Sequence, residues 1–207
     1  MDSIVVVKPS EAHLVQEMVR RMFRFRHEVF RERLGWEVES RNGLEIDRFD
    51  GLKPVYMLSR NTRREITGSW RLLPTTGPYM LRDTFPQLLC GEDAPQDPTV
   101  WEISRFATVT AGRRDRVQAN LGQVTFAMIQ SLLPFAEEHR IRQYVFVTSV
   151  ALERLVTRIG LPLRRFGDGQ AQRVGKVLSV ACRLDVNDQF RRAVSSVGNV
   201  AAAGEAA

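Results

Sequence analysis

Cysteine is scarce in this chain, and its scarcity excludes several classes of protein. The 207 residues contain only Cys90 and Cys182, which lie far apart and without a paired spacing. We therefore expect neither a disulfide framework nor a cysteine zinc site, which suits a reducing cytoplasm. The three histidines, His13, His27 and His139, also lack the spacing of metal ligands, so we predict no metal site.

Long apolar runs are missing as well. The opening MDSIVVVKPSEAH places only four apolar residues between Ser3 and Lys8, too few for the core of a signal peptide. No later stretch approaches the roughly 18 uncharged apolar residues that a membrane span requires. We therefore expect a soluble, unexported, cytoplasmic protein with no membrane span.

Positive charge is in excess. Lysine and arginine number 30 against 24 aspartates and glutamates, which gives a net charge of +6 and a pI near 10. This excess implies an anionic partner, which could be nucleic acid, an anionic membrane, a phosphorylated ligand or an acidic protein. The hydrophobic content of 43% suffices for one compact domain with a full core.

Periodicity in the first half predicts mostly strands after one helix. The expected elements are a strand at Ile4–Val7, a helix from about Pro9 to Arg33, an irregular loop over Leu34–Lys53, and a hairpin of PVYMLSR and EITGSWRLLP. Because the loop carries glycines among charged residues, we expect it to order over a ligand.

The second half predicts alternating strands and helices. The expected elements are a strand VWEISRFATV, a helix ending at His139, a strand YVFVTSV, a helix closed by Gly160, and strands within LPLRRFG and VGKVLSVACRLDV. Strand, helix and strand at this spacing form a crossover, so part of the sheet is parallel. We predict a single-domain three-layer α-β-α sandwich with a mixed sheet at residues 1–197, in an N-acetyltransferase-like element order, and a flexible tail at 198–207.

Four short segments are unusual for a plain scaffold: RHEVFRERLGW at 26–36, EIDRFD at 45–50, GSWRLLP at 68–74 and WEISRF at 101–106. In the second segment, Asp47 and Asp50 can hold a cationic ligand or neutralise nearby arginines. In the first, Phe30 and Trp36 offer π faces to a cation, or belong to the core.

The other two segments place charges on predicted strands. Arg71 falls in the middle of a strand, where a charge must be paired, exposed or functional. If the next strand is regular, Glu102 shares a face with Phe106 and opposes Arg105. A carboxylate that faces inward from a strand is a candidate general base, or else the partner of an arginine.

Taken in order, the four segments closely resemble the LuxI-type acyl-homoserine lactone synthases, and the resemblance covers about Arg24 to Val186. It implies catalytic roles for Glu102, Arg71 and Asp50, with Glu102 removing a proton from the substrate amine. It implies that S-adenosylmethionine is bound by Arg26, Phe30, Trp36, Asp47, Arg105 and Phe106. It implies an acyl pocket formed by Phe85, Phe146, Thr148 and Ser149, in which a hydroxyl near Thr148 is associated with 3-oxo acyl groups.

The resemblance also implies the reaction. An acyl group would pass from an acyl thioester to the amine of S-adenosylmethionine, and the product would close to a lactone with release of methylthioadenosine. S-adenosylmethionine is then a substrate, and no cofactor is expected. The donor would be acyl carrier protein or acyl-coenzyme A, and a basic surface suits either. Arg154 and Arg158 share a predicted helix face, and with Arg164 and Arg165 they form a candidate docking surface or simply a solvated face.

Two other functions remain open at this point. A nucleic-acid-binding module is suggested by the pI and by arginine clusters at 20–33, 113–116 and 191–192. It has no recognisable binding motif, and it leaves Asp47, Asp50 and Glu102 without a purpose. An ordinary N-acyltransferase with another amine acceptor is the second alternative.

Overall fold

A computed structural model of the chain describes residues 2–11, 13, 15–109 and 122–203, the last eight of these by backbone alone. The arginine cluster at 113–116 lies outside these residues. The flexible tail expected at 198–207 falls on residues with no described side chains, so it stays a prediction. Contacts divide the chain into two compact units, Met1–Leu73 with Ile103–Met128, and Pro74–Glu102 with Ile129–Ala207.

The predicted strands and helices occur in the predicted order, and the structure adds a short hairpin, a short helix and a C-terminal helix that were not predicted. The strands are β1 Ser3–Val7, β2 Ser40–Arg41, β3 Leu44–Glu45, β4 Val55–Arg60, β5 Ile66–Pro74, β6 Val100–Thr108, β7 Gln143–Ser149, β8 Leu163–Arg165, β9 Gln172–Val174 and β10 Val177–Asp185. The α-helices are α1 Gln16–His27, α2 Met80–Asp83, α3 Gln123–His139, α4 Val150–Arg158 and α5 Asp188–Ala203. A π-helix covers Glu28–Arg33, and 3-10 helices cover Arg48–Leu52 and Pro86–Leu89.

Sheet pairing within each unit is regular. In the first unit the order is β1-β4-β5-β6, and both β1 and β5 run antiparallel to β4. In the second unit the order is β6-β7-β10-β8, with β9 on β10. Strand β7 runs parallel to β6 and antiparallel to β10, as the predicted crossover requires. The α/β class and the mixed sheet are therefore confirmed.

The core of the first unit forms where α1 covers β4. Met22 and Phe25 are buried from α1, and Tyr56 and Leu58 face them from β4. The helix begins at Gln16 rather than near Pro9, so the predicted start was too early by almost two turns. Its continuation to Arg33 is confirmed, although the last six residues form a π-helix.

The expected irregular loop at 34–53 is more ordered than predicted. Strands β2 and β3 form a short hairpin, and its turn residues Asn42 and Gly43 have φ values of 55° and 72°. Positive φ at both positions characterises a type I′ turn, for which Asn-Gly is the favoured sequence. The Asn-Gly pair was a readable hairpin signal, obscured by the charged residues around it.

Gly68 in the GSWRLLP segment permits a close approach of α3 to β5. A Cβ atom at this position would lie 2.5 Å from Sδ of Met128 and 2.9 Å from Cγ1 of Val124. Both distances are shorter than van der Waals contact, so a side chain here would force the side chains of Met128 and Val124 to shift.

Within the residues that the structure describes, no helix has both the length and the apolar character needed to cross a membrane.

Candidate active site

Three arginines and three carboxylates converge in the first unit. The arginines come from the end of α1, from β5 and from β6, and the carboxylates come from β3 and the 3-10 helix that follows it: Arg26, Arg71, Arg105, Glu45, Asp47 and Asp50. We call these six residues the charge network. Arg71, on the central strand β5, has a side chain with 0% exposure.

Asp50 receives the most hydrogen bonds in the charge network. Arg26 binds it through both terminal nitrogens, at 2.8 and 3.0 Å, and NH1 of Arg71 lies 3.0 Å from Oδ1. The hydroxyl of Tyr56 donates to Oδ1 at 2.9 Å, and the backbone N–H of Asp47 donates to Oδ2 at 2.9 Å. Burial alone would raise the pKa of Asp50, but Arg26 and Arg71 outweigh it and lower the pKa to about 2.

Asp47 and Glu45 complete the pairing. NH1 of Arg71 donates to Oδ1 of Asp47 at 2.5 Å, and NH2 of Arg105 lies 2.7 Å from Oδ2. Glu45 is fully buried between Nε of Arg26 at 2.5 Å and Nε of Arg105 at 2.9 Å. Sequence reasoning missed Glu45, although it opens the EIDRFD segment and alternates with Asp47 there.

Formal charges in the charge network balance, three against three. Asp47 and Asp50 therefore neutralise arginines, the second of the two roles that the sequence left open for them. The same pair also caps the 3-10 helix, because Oδ1 of Asp47 accepts the N–H of Phe49 at 2.9 Å while Asp50 accepts that of Asp47. A buried set of this kind stays stable only while every charge keeps its partner.

One donor of the charge network is unused. Nε of Arg71 donates to Oγ of Ser104 at 3.2 Å and NH1 binds both aspartates. Its NH2 is buried and has no hydrogen-bond partner among the described residues. An unpaired buried donor is costly, so this atom is a natural contact for an acceptor on a ligand.

Strand β6 is irregular at Arg105, whose φ is 54°. This left-handed conformation costs a non-glycine residue roughly 1–3 kcal/mol. It breaks the alternation of the strand, so the consecutive side chains of Ser104 and Arg105 both reach the charge network. The predicted alternation from Glu102 to Phe106 was conditional on a regular strand, and the strand is not regular at Arg105. Phe106 instead packs on Trp70, with ring centroids 5.2 Å apart.

Phe30 and Trp36 lie together beside the charge network. Their rings stack with centroids 5.2 Å apart and an angle of 10° between the planes. Phe30 is buried, and the guanidinium carbon of Arg105 lies 5.8 Å from its ring centroid. Trp36 is 37% exposed. The sequence left core and ligand-facing roles open, and the structure gives the buried position to Phe30 and the exposed one to Trp36.

Glu102 is buried in the second unit, with 1% exposure. Its Oε2 accepts the backbone N–H of Met80 at 3.0 Å, and its Oε1 accepts that of Leu81 at 2.6 Å. Two backbone donors from the start of α2 therefore orient this carboxylate, as a positioned catalytic group would require.

The residues expected in the acyl pocket do not share one face of β7. Phe85 and Val147 both pack against the buried cluster that contains Val145. Phe146 and Thr148 alternate with these valines, so they lie on the opposite face of the strand. Tyr144 shares that face, and its hydroxyl donates to the carbonyl oxygen of Leu132 on α3.

Ser149 has a structural contact of its own, because its Oγ accepts the N–H of Leu152 and caps α4. This helix cap accounts for a hydroxyl at position 149 without any acyl ligand.

The four arginines of the candidate docking surface differ in their pairing. Arg154 and Arg158 are exposed on α4, as predicted. Arg164 is exposed but lies 2.7 Å from Oδ2 of Asp185. Arg165 donates to both oxygens of Glu153 at 2.6 Å, so it mainly ties β8 to α4.

Among the described residues, no group of three or more His, Cys, Asp and Glu side chains is arranged to hold a metal ion.

Comparison with known proteins relates this geometry to one family. Residues 10–194 match the family model described as autoinducer synthase. The acyl-homoserine-lactone synthase of Aliivibrio fischeri strain ES114 is 36% identical over 194 residues, which are 94% of this chain and 100% of that protein.

Solved structures give the same answer. The acyl-homoserine lactone synthase LasI superposes with a TM-score of 0.84 at 34% identity, covering 95% of each chain. BjaI, a coenzyme-A-dependent acyl-homoserine lactone synthase solved with S-adenosylmethionine and isopentyl-CoA, gives 0.82 at 26% identity and covers 95% of this chain and 89% of its own. A putative N-acetyltransferase from Lactobacillus plantarum, 14% identical with a TM-score of 0.57 over 90% of this chain and 99% of its own, supports the predicted fold alone. The chain therefore belongs to the autoinducer synthase family of acyl-homoserine-lactone synthases, and it is an acyltransferase.

Proposed function

We propose that the protein acylates S-adenosylmethionine and then closes the product to a lactone. The amine nitrogen attacks the thioester carbonyl carbon, the C–S bond breaks, and the thiol leaves with one proton. A carboxylate oxygen of the same molecule then attacks its γ-carbon and expels methylthioadenosine, so the negative carboxylate and the positive sulfonium cancel. The second step is intramolecular, and good positioning is worth roughly 7–11 kcal/mol in such a step.

The relatives support this choice of substrates. BjaI was solved with S-adenosylmethionine and isopentyl-CoA together, and also with MTA. TofI was solved in a ternary complex with an inhibitor and MTA. S-adenosylmethionine and an acyl-CoA are the two substrates of the proposed reaction, and MTA is its methylthioadenosine product.

The observation that carries the proposal is the unused donor of the charge network. Every carboxylate of the network is ion-paired with at least one arginine. Oδ2 of Asp47 has no hydrogen-bond partner among the described residues, but it lies 2.7 Å from NH2 of Arg105, whereas NH2 of Arg71 has no carboxylate of its own. NH2 of Arg71 suits the carboxylate of S-adenosylmethionine, because a charge-assisted hydrogen bond would satisfy that buried atom. The exposed ring of Trp36, stacked on Phe30, suits the sulfonium through a cation–π contact.

Glu102 suits the role of general base. The substrate amine has an ordinary pKa of about 8, so near neutral pH much of it must lose a proton before it attacks. The N–H groups of Met80 and Leu81 fix the direction of the Glu102 carboxylate. We assign the proton to Glu102, directly or through water, and require no cofactor.

The acyl donor is an acyl thioester of coenzyme A or of acyl carrier protein. The exposed Arg154 and Arg158 suit either, since both donors carry negative charge. The cytoplasmic location expected from the sequence stays a prediction.

Purified protein incubated with S-adenosylmethionine and an acyl-CoA provides the direct test. Mass spectrometry should find the acyl-homoserine lactone and methylthioadenosine in equal amounts. An N-acylated product without lactone would indicate an ordinary N-acyltransferase, and binding of nucleic acid with no acyl transfer would favour the nucleic-acid-binding alternative.

Binding of S-adenosylmethionine should slow hydrogen exchange across residues 26–50. This segment supplies four members of the charge network as well as the Phe30–Trp36 stack, so a ligand there should suppress its local opening. Mass spectrometry of the backbone amides with and without ligand measures the effect, with α5 as the internal reference. Unchanged protection at saturating ligand would remove this segment from the site.

Thr148→Val should selectively weaken the use of a 3-oxo acyl donor. The substitution keeps the shape of the half-buried side chain but removes its hydroxyl, and a ketone left without a donor costs roughly 1–3 kcal/mol. The ratio of kcat/KM for 3-oxo and unsubstituted donors measures this. Ser149→Ala is the matched control, since it removes only a helix cap and should leave the ratio unchanged. An unchanged ratio in Thr148→Val would place Thr148 outside the acyl pocket.

A further inference from the structure

The C-terminal end of α1 contacts the β2–β3 hairpin through a side chain outside the charge network. Nδ1 of His27 lies 2.5 Å from Oγ of Ser40, and that Oγ lies 3.1 Å from the carbonyl oxygen of Leu44. His27 directly follows Arg26, whose Nε donates to Glu45 at 2.5 Å. Two consecutive residues of α1 therefore contact the two strands of the hairpin, one residue for each strand.

The two contacted residues of the hairpin are paired with each other. Ser40 and Glu45 lie directly opposite in the register of β2 and β3. A two-residue type I′ turn joins the strands tightly, so they move together. Holding Ser40 therefore also fixes the backbone that carries Glu45, and the Glu45 carboxylate links Arg26 to Arg105.

The other ring nitrogen of His27 faces the surface. Nε2 lies 3.3 Å from Oε1 of Glu32, whose side chain is 62% exposed. The wide turn of the π-helix brings these residues, five apart, to one side. A contact with such an exposed carboxylate contributes little, so the partly buried contact with Ser40 is the stronger of the two.

We propose that His27 is a positioning residue of the S-adenosylmethionine site. Its Nδ1 holds Ser40, which keeps the hairpin against α1 and keeps Glu45 between Arg26 and Arg105. His27 acts on the substrate only through these residues. The link to substrate binding rests on the proposed function, whereas the hold on the hairpin does not.

Two amide substitutions separate the ring nitrogens. His27→Asn places an amide nitrogen near the position of Nδ1, and the longer His27→Gln places it near Nε2. His27→Asn should therefore retain the contact with Ser40, and His27→Gln should retain only the contact with Glu32. In ligand-free protein, hydrogen exchange at residues 40–45 should be unchanged in the first variant and roughly three- to tenfold faster in the second, as expected for one lost hydrogen bond.

Kinetics then tests the link to the substrate. His27→Gln should raise the KM for S-adenosylmethionine by a similar factor while kcat and the melting temperature stay close to wild type, and His27→Asn should restore KM. Ser40→Ala should reproduce the effect of His27→Gln, and the double variant should be no worse than either single variant, because both changes break the same contact.

Each result decides the proposal. Equal hydrogen exchange at residues 40–45 in His27→Gln and wild type would overturn the proposed hold of His27 on the β2–β3 hairpin, whether or not the protein makes lactone. Faster exchange with an unchanged KM would overturn its link to the S-adenosylmethionine site. The wild-type protein could make no lactone while the His27 variants still show the expected exchange pattern. That result would contradict the proposed function but support the hold of His27 on the hairpin.

Discussion

Asp50→Asn should lower lactone formation by roughly 100-fold, the loss expected when a binding constellation is displaced by about 1 Å. Asp50 accepts four hydrogen bonds, including two from Arg26, and is also ion-paired with Arg71, so removing its charge leaves three arginines facing two carboxylates. Breaking a buried ion pair in this way costs about 3–5 kcal/mol, so the free energy of unfolding should fall by that amount. Steady-state kinetics and urea unfolding measure the two effects.

Asp188→Asn is the matched control for this change. Asp188 is exposed on α5 and lies 4.0 Å from Arg191, so its removal should alter neither activity nor stability appreciably. If Asp50→Asn does not fold, Tyr56→Phe can replace it, because this change removes a neutral donor from the same carboxylate. It should lower both the activity and the free energy of unfolding by less than Asp50→Asn would. Wild-type activity and stability in a folded Asp50→Asn protein would exclude the charge network from function.

Glu102→Gln should lower kcat by about 100- to 10,000-fold, the usual contribution of a general base. The amide cannot accept the amine proton, and its NH2 group would face a backbone N–H of Met80 or Leu81 that now binds a carboxylate oxygen. Because the free substrate amine loses its proton at about pH 8, the defect should shrink as pH rises above that value. Single-turnover rates across this pH range measure the effect.

Glu92→Gln separates loss of a base from loss of a carboxylate with a structural role, although the Glu92 side chain is 38% exposed. Glu92 also accepts a backbone N–H, from Gly167, and pairs with Arg183. Its substitution should lower stability while leaving kcat and its pH profile unchanged. A defect in Glu102→Gln that is constant with pH would show that Glu102 supports the fold rather than removing the proton.

Local sequence patterns were enough for most of the secondary structure. The strands β4 and β5, the helix α3 and the parallel pairing of β6 with β7 follow from periodicity and from crossover geometry. The helix α5 was not predicted, and neither was the order within the loop at 34–53. Its Asn-Gly turn and its Asp-x-x-Asp cap are local signals, but they are short and lie among charged residues without hydrophobic periodicity.

The acyl-pocket residues show a different limit. Alternation along β7 places Phe146 and Thr148 on the opposite face from Val145 and Val147. It gave no information about which face Phe85 would pack against, because the cluster that Phe85 joins contains residues distant in the sequence, such as Val145. A resemblance to a family transfers residue identities along the chain, whereas the side of a strand that a distant residue meets depends on the packed fold.

The sequence by itself determined the family, the α/β class and the residue types needed for the chemistry, because motifs and periodicity are local properties of the chain. The tertiary structure decided how the charges are paired. It paired Asp47 and Asp50 with arginines rather than leaving them open to a ligand, and it added Glu45 as a third carboxylate that binds the arginines. It also gave Arg105 a left-handed backbone conformation. Pairing is a long-range property: a carboxylate binds whichever cation the fold brings within about 3 Å, and residue type alone does not specify that neighbour.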